Sequence, residues 1–386
     1  MSQNTGPMLS KEERVRRALV SAEVDRPPYS FWRHFPGTDL DPVALVEQTV
    51  RFAAELDLDF VKAMSNGFYC VEDWGAVADY SAISQGGVAH VVRTPIAEAT
   101  DWRHIRRLPV TAPALSRELR HLAGLADALG RRTPLLATVF SPLTIAHKMA
   151  GAHKIAGAHE MAGANELASA HEMAADVLAR HVRQAPELVL GALENIALTM
   201  ADFARHALAA GCAGVYFAVQ DADPARFDDA AYGKFGEPFD RMVLDAAASG
   251  WFNVVHMHGS RILFDRLKEY PVAALNWHIG QTPPSVAAYR DAGGRQPIVG
   301  GLRRDGLTRC DIKSVAADLA LIFAATAGRG LLLSPGCVIR NPVDMAFLKH
   351  VATRIATDAE GLDASPPKLN AASQRVPALH PKGECR

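Results

Sequence analysis

The sequence predicts a single (β/α)8 barrel of the TIM type, an α/β fold, and three observations carry that prediction. Eight short apolar runs alternate with helix-patterned segments along most of the 386 residues. The runs are apolar throughout, which is how strands buried on both faces of a parallel sheet read. The residues able to do chemistry gather where those runs end, and in a barrel the strand exits share one face. An open doubly wound sheet lacks support, because no Gly-x-Gly-x-x-Gly or phosphate-binding loop follows the first strand.

Ser10-Lys11-Glu12-Glu13 is a capping box that opens a helix through about Val20. Pro27-Pro28 then stops it. Tyr29 to Trp32 is the expected first strand, with Arg33-His34-Phe35-Pro36-Gly37 as its exit. A helix over 42–56 precedes the second strand, 59–64, which leaves through Ser65-Asn66-Gly67. Residues 68–98 alternate and hold Gly86-Gly87, which predicts an inserted hairpin. Helices over 102–108 and 112–129 lead to the third strand, 134–140, ending at Ser141-Pro142.

From Lys148 the chain repeats in hexads: KMAGAH, KIAGAH, EMAGAN, ELASAH, EMAADV. Six helical residues advance by about 240°, so His147, His153, His159 and His171 spiral and make a poor metal cluster. The expectation is an Ala-rich, mobile helical extension over one barrel end. A helix over 186–210 is closed by Gly211, and the fourth strand, 214–219, ends at Gln220-Asp221. Helices at 239–248, 261–269, 285–292, 315–326 and 345–353 separate and follow the remaining strands. Those strands are the run 253–259 carrying His256 and His258, then 273–277 (ending at His278), 297–301 and 330–334. The domain reading is one barrel over 10–356, with disordered ends at 1–9 and 357–386.

Bulk composition narrows the function. Hydrophobic residues are 49% and charged residues 22%, as in ordinary globular chains. A net charge of -1 argues against nucleic acid or anionic membrane as partners. No apolar run approaches the roughly 20 residues of a membrane helix, and Met1 to Ser10 lacks the apolar core of a signal peptide. Five scattered cysteines read as reduced thiols in a cytoplasmic protein.

The candidate site starts from Asn253-Val254-Val255-His256-Met257-His258-Gly259. Residues two apart on a strand face the same way, so His256 and His258 point together. Leu331-Leu332-Leu333-Ser334-Pro335-Gly336-Cys337 brings a lone cysteine to another strand exit. Two imidazoles and a thiolate make a three-ligand zinc site with one open position, the catalytic pattern. Water, substrate or a side chain such as Asp221 would complete it. The plainer reading is two histidines satisfied inside the core and a cysteine acting as a small hydrophobe.

His278 is placed at the next strand exit, either as a catalytic group bonded to a ligand or as a loop cap. Arg33 and His34 are candidates for holding a substrate carboxylate, and Arg33 equally suits an acid on the barrel rim. Asn66, Gln220 and Asp221 are polar residues at apolar strand exits, with functional and structural roles both open; Asp221 is also a catalytic candidate. Trp32, Phe35, Phe68 and Trp277 either line a flat apolar pocket or belong to the core. Asp25 and Arg26 lie at the opposite end and are expected to position the strand start. Cys70, Cys212 and Cys310 lie away from the site and are treated as inert.

Val24-Asp25-Arg26-Pro27-Pro28, Asn276-Trp277-His278, Val299-Gly300-Gly301-Leu302 and Ser334-Pro335-Gly336-Cys337 together resemble the uroporphyrinogen decarboxylase superfamily. The resemblance spans most of residues 10–355 and implies a (β/α)8 barrel. It also implies one of two activities. One branch decarboxylates uroporphyrinogen without a cofactor, using an arginine-rich loop after the first strand. Here that loop, Phe31-Trp32-Arg33-His34-Phe35, offers one arginine for a substrate with eight carboxylates. The other branch comprises zinc-dependent, corrinoid-linked methyltransferases, with zinc on His-x-Cys after the fifth strand and Cys after the eighth. His256 and Cys337 match those places, whereas His258 stands where that branch has cysteine.

The reading adopted is therefore a zinc-dependent methyl transferase. Its zinc ligands are His256, His258 and Cys337, with His278 and Asp221 as catalytic groups. Arg33, His34, Trp32, Asn66, Gln220 and Trp277 would bind a small-molecule substrate. The chain lacks a corrinoid-binding Asp-x-His-x-x-Gly motif, so cobalamin would arrive on a carrier protein or as free cofactor. A cofactor-free decarboxylase and a tetrapyrrole-binding barrel are the alternatives, and the resemblance implies a homodimer.

Overall fold

The computed structural model describes residues 8–80, 90–150 and 177–357. Seven parallel strands form one curled sheet. In chain order they are β1 (Val61–Lys62), β4 (Leu135–Phe140), β5 (Gly214–Val219), β6 (Val254–Met257), β7 (Ala274–Trp277), β8 (Ile298–Leu302) and β9 (Leu331–Pro335). Each pairs with the next, as right-handed strand–helix–strand units require. The strands β2 (Val77–Asp79) and β3 (His90–Arg93) form a separate antiparallel pair, within the span of the expected insertion. The hexad repeat at 151–176, the first seven residues and the tail from 358 lie outside the described residues.

The expected first strand departs from the reading. Residues 28–33 form isolated bridges, Tyr29 with Leu333 and Arg33 with Ile339. The reason is chemical: Pro27 and Pro28 have no N–H to donate to a ladder. The segment still closes the barrel. Leu333 N donates to Pro28 O at 2.8 Å and Ser30 N to Leu333 O at 3.0 Å. On the other side Asp59 N donates to Tyr29 O at 3.0 Å. Tyr29 thus joins the last strand to the entry of β1.

Strand alternation divides the apolar residues into two cores. Trp32, Phe60, Met64, Leu136, Tyr216, Val254, Ala274, Val299 and Leu332 fill the barrel. Residues of opposite parity, such as Val61, Val215, Val255, Leu275 and Leu331, pack outward against helices. Full burial of one such side chain stabilises by about 1.5–3 kcal/mol. Helix Lys11–Leu19 is capped by Ser10, whose side chain accepts from Glu13 N, and places Val15 and Ala18 in the inner core. Helix Pro186–Ala209 matches its expected span almost residue for residue. Arg261–Glu269 shortens to a turn at Phe264–Leu267, and the expected helix at 102–108 is a 3-10 segment, Ala99–His104.

Asp25 and Arg26 sit where expected, with Asp59 between two guanidinium groups. Arg14 Nη1 donates to Asp59 Oδ1 at 2.6 Å and Arg14 Nη2 to Asp25 Oδ2 at 2.6 Å. Arg26 and Tyr29 N also bond Asp59, which is fully buried. This network locks helix Lys11–Leu19 to the strand entries.

Candidate metal centre

At the exits of β6, β7 and β9 four side chains converge. His256, His258, His278 and Cys337 each offer a ligand atom, and all four atoms lie within 4.8 Å of one another. The β6 ladder extends one bond past its strand, since His258 N donates to Val219 O at 2.8 Å, which holds His256 and His258 two residues apart on one face. Cys337 Sγ lies 3.9 Å from His258 Nδ1. The His258 and His278 rings stand edge to face at 4.7 Å. Gly336 makes the approach of β9 to β7 possible: a Cβ there would lie 3.1 Å from Trp277 O and 3.2 Å from His278 Cα.

Behind the group, Asn276 fixes His256. Its Oδ1 pairs with His256 Nδ1 and accepts from Tyr216 Oη at 2.8 Å, while its Nδ2 donates to Val299 O at 2.6 Å. The orientation of the amide follows from these partners. Asn276 Oδ1 accepts only, so the proton of His256 sits on Nδ1 and the Nε2 lone pair faces the group. Burial holds the His256 pKa down to about 4, so the imidazole is neutral at ordinary pH. Burial disfavours a thiolate at Cys337, but the neighbouring His256, His258 and His278 side chains override it and place its pKa well below the ordinary thiol value. Burial pushes Cys70 and Cys212 up to about 12 instead, which agrees with their reading as inert.

The donor set, three imidazoles and a thiol, suits zinc, and its spacing fits around one ion. His278 Nε2 is buried with no hydrogen-bond partner among the described residues, as expected of a nitrogen reserved for an ion. The sequence left the fourth position to water, substrate or a side chain such as Asp221. The structure puts His278 in that place and gives Asp221 to His147 Nδ1, with Arg226 Nη1 3.6 Å away. Asp221 is 1% exposed, and pairing with a buried imidazole is how such a carboxylate is accommodated.

Other candidates are dispersed. His34 lies deep among protein atoms yet keeps 39% of its side-chain surface open. Its pKa falls to about 4, through burial first and then the nearby Lys62, with Lys148 adding to the effect. Arg33 Nε donates to His34 O at 3.1 Å and its guanidinium lies 5.2 Å from the Phe35 ring centroid. Asn66 is a turn cap, accepting from Phe68 N and Tyr69 N at 2.8 and 2.7 Å. Gln220 is half-buried at the β5 exit, its N donating to Thr144 Oγ1 at 2.9 Å. Trp277 faces the outer core, against Phe264 and Tyr289, with Nε1 donating to Pro284 O at 3.0 Å. That corrects its reading as a pocket wall: odd parity on β7 points away from the barrel axis. Trp32 does face inward, 5.6 Å from Tyr216.

A model of the uroporphyrinogen decarboxylase (URO-D) family matches residues 10–356. The chain belongs to the uroporphyrinogen decarboxylase family. No curated protein sequence matches it significantly. Among solved structures, it is similar to a methyltransferase from Methanosarcina mazei. The TM-score is 0.70 at 13% identity, covering 90% of this chain and 98% of that one. It is also similar to a Listeria monocytogenes protein provisionally named a vitamin-B12-independent methionine synthase. There the TM-score is 0.49 at 14% identity, covering 83% and 87% of the two chains. At such identity the first likeness shows a shared family fold, and the second adds nothing to it.

Sequence reasoning missed three residues that the structure brings close to this group. Asn276 lies two residues before His278 on β7, so the same alternation that pairs His256 with His258 would have found it. Tyr216 stacks on His256 at 5.3 Å. Lys62 interrupts an apolar strand between Phe60 and Met64, inner-core residues of the same parity.

Proposed function

We propose that this protein is a metal-dependent methyl, or one-carbon, transferase of the uroporphyrinogen decarboxylase family, with zinc held by His256, His258 and Cys337. The observation that carries the reading is the convergence of these residues with His278 at three strand exits. The fold likeness to a methyltransferase supports the same class. Bound zinc would supply a Lewis acid that favours the anion of an acceptor such as a thiol.

The chain's own residues do the rest. Asn276 holds His256 in one tautomer, with the Nε2 lone pair toward the group. His278 would be a fourth donor to the ion beside His256, His258 and Cys337. A mixed His and Cys set carries fewer negative charges than a two-thiolate set. It favours the acceptor's anion more strongly and also holds that anion more tightly. The methyl donor is a methyl-corrinoid brought by a carrier protein or a methylated small molecule. Decarboxylation of a porphyrinogen is the weaker reading, because the loop after the first strand offers one arginine to a substrate with eight carboxylates.

Metal analysis of untagged protein tests the proposal. About one zinc per chain is expected, lost in Cys337→Ser and His258→Ala together with activity. Less than about 0.2 metal per chain, with His258→Ala fully active, removes the reading. Activity that survives chelation would favour cofactor-free decarboxylation.

A further inference from the structure

Inside the barrel, two buried donors, the Lys62 ammonium and the Trp32 indole N–H, have no oxygen acceptor among the described residues. Lys62 is 6% exposed. Its Nζ contacts Met64 Sδ at 2.9 Å and the ring centroids of Tyr216 at 4.8 Å and Trp32 at 5.7 Å. No carboxylate among the described residues forms an ion pair with it. Trp32 is 1% exposed, and its Nε1–H has no acceptor among the described residues. Lys148 Nζ stands over Phe140 at 4.8 Å and Phe68 at 5.3 Å, again with no ion pair to a described carboxylate. His34 is shifted by both lysines and by Cys337, so these groups lie within electrostatic reach of one side chain.

A desolvated cation–π contact supplies about 2 kcal/mol. Removing an ammonium from water costs several kcal/mol even after relaxation. Aromatic faces and a thioether therefore leave Lys62 undercompensated, and burial holds its pKa down to about 7. The Tyr216 ring that Lys62 approaches also stacks on His256, so this cation sits one ring away from the metal group.

We infer that Lys62, with the Trp32 indole N–H and Lys148, forms an anion-binding subsite for the single carboxylate, or comparable oxyanion, of a small acidic substrate. The oxygen atoms complete the donors of Lys62 and Trp32, and the other end of the same molecule reaches His256, His258 and Cys337. The inference rests on the proposed function for the reacting end alone. The acidic end is argued from Lys62, Trp32 and Lys148.

Calorimetric titration of the full chain with 3-mercaptopropionate and with 3-mercapto-1-propanol tests it, before and after metal is stripped. The probes share a thiol and differ in charge at the far end. The acid should bind at least about tenfold more tightly than the alcohol, with or without metal, as a charge-assisted hydrogen bond predicts. Lys62→Met should reduce that preference to within about twofold while leaving the alcohol's affinity and the metal content unchanged. Lys62→Arg should keep the preference, and Trp32→Phe should weaken it several-fold. Equal binding of the two probes by the unsubstituted protein, including no binding of either, overturns the inference. So does an acid preference that survives Lys62→Met. Failure of the metal reading shows separately, as protein that never holds zinc, and the comparison on metal-free protein still decides the subsite.

Discussion

Asn276 touches no reacting atom in the proposed chemistry, yet three interactions meet on its amide. Its oxygen serves His256 and Tyr216, and its nitrogen serves Val299 O. Asn276→Leu keeps the volume and removes all three. The Tyr216 hydroxyl and the His256 Nδ1–H are then buried without an acceptor, at about 1–3 kcal/mol each. The imidazole is also free to change tautomer and turn its lone pair from the ion. Zinc affinity should fall by about 10- to 100-fold, read by competition with a chromogenic chelator. Unchanged affinity would show that Asn276 only packs. Part of this site was legible at the residue scale. His256, His258 and Cys337 stood out because polar or nucleophilic residues at the exits of apolar strands are conspicuous. Trp277 misled because an aromatic residue beside a histidine reads as a pocket wall until strand parity sends it outward.

Between elements, the barrel depends on a few junctions whose chemistry differs from strand packing. Asp59 opens β1, is fully buried, and accepts from Arg14, Arg26 and Tyr29 N. Asp59→Ala leaves two guanidinium groups facing each other without their shared anion. Removing one partner of a buried charge network costs about 3–5 kcal/mol. Urea denaturation should show that loss, and a change below about 1 kcal/mol would mean the network behaves like a surface pair. The same junction explains what the sequence could and could not reveal. Strands from β4 onward were readable because uninterrupted apolar runs have one plausible use. The first strand was readable as an apolar run, but its reduction to bridges follows from proline donors missing at 27 and 28. Short helices such as Asp229–Phe235 and Arg304–Thr308 escaped because two turns carry too little periodicity to stand out.

Across the whole molecule, two buried groups oppose each other in how stability depends on pH. Asp240 is fully buried between the hydroxyls of Tyr232 and Tyr270, at 2.6 and 2.7 Å, and burial pushes its pKa up to about 7. The folded state holds a proton that the unfolded state releases above a pKa of 3.8, so this carboxyl's contribution weakens as pH rises toward 7. Lys62 acts in the other direction. Its folded pKa of about 7 lies below the unfolded value of 10.5, so between those limits the unfolded state binds the extra proton. Stability from this group therefore rises with pH, and its penalty is fully present below pH 7 and gone above 10.5. A lysine kept for structure would make Lys62→Met destabilising at every pH. A lysine kept for binding sits in the fold at a loss, as groups in functional sites do. Lys62→Met should then be more stable than the unsubstituted protein near neutrality, with the gap narrowing as the pH approaches 10. Denaturant titrations of both proteins across that range measure the gap. A variant that is less stable at neutral pH, or a gap that ignores pH, would return Lys62 to the structural core and remove the physical ground for an acidic substrate.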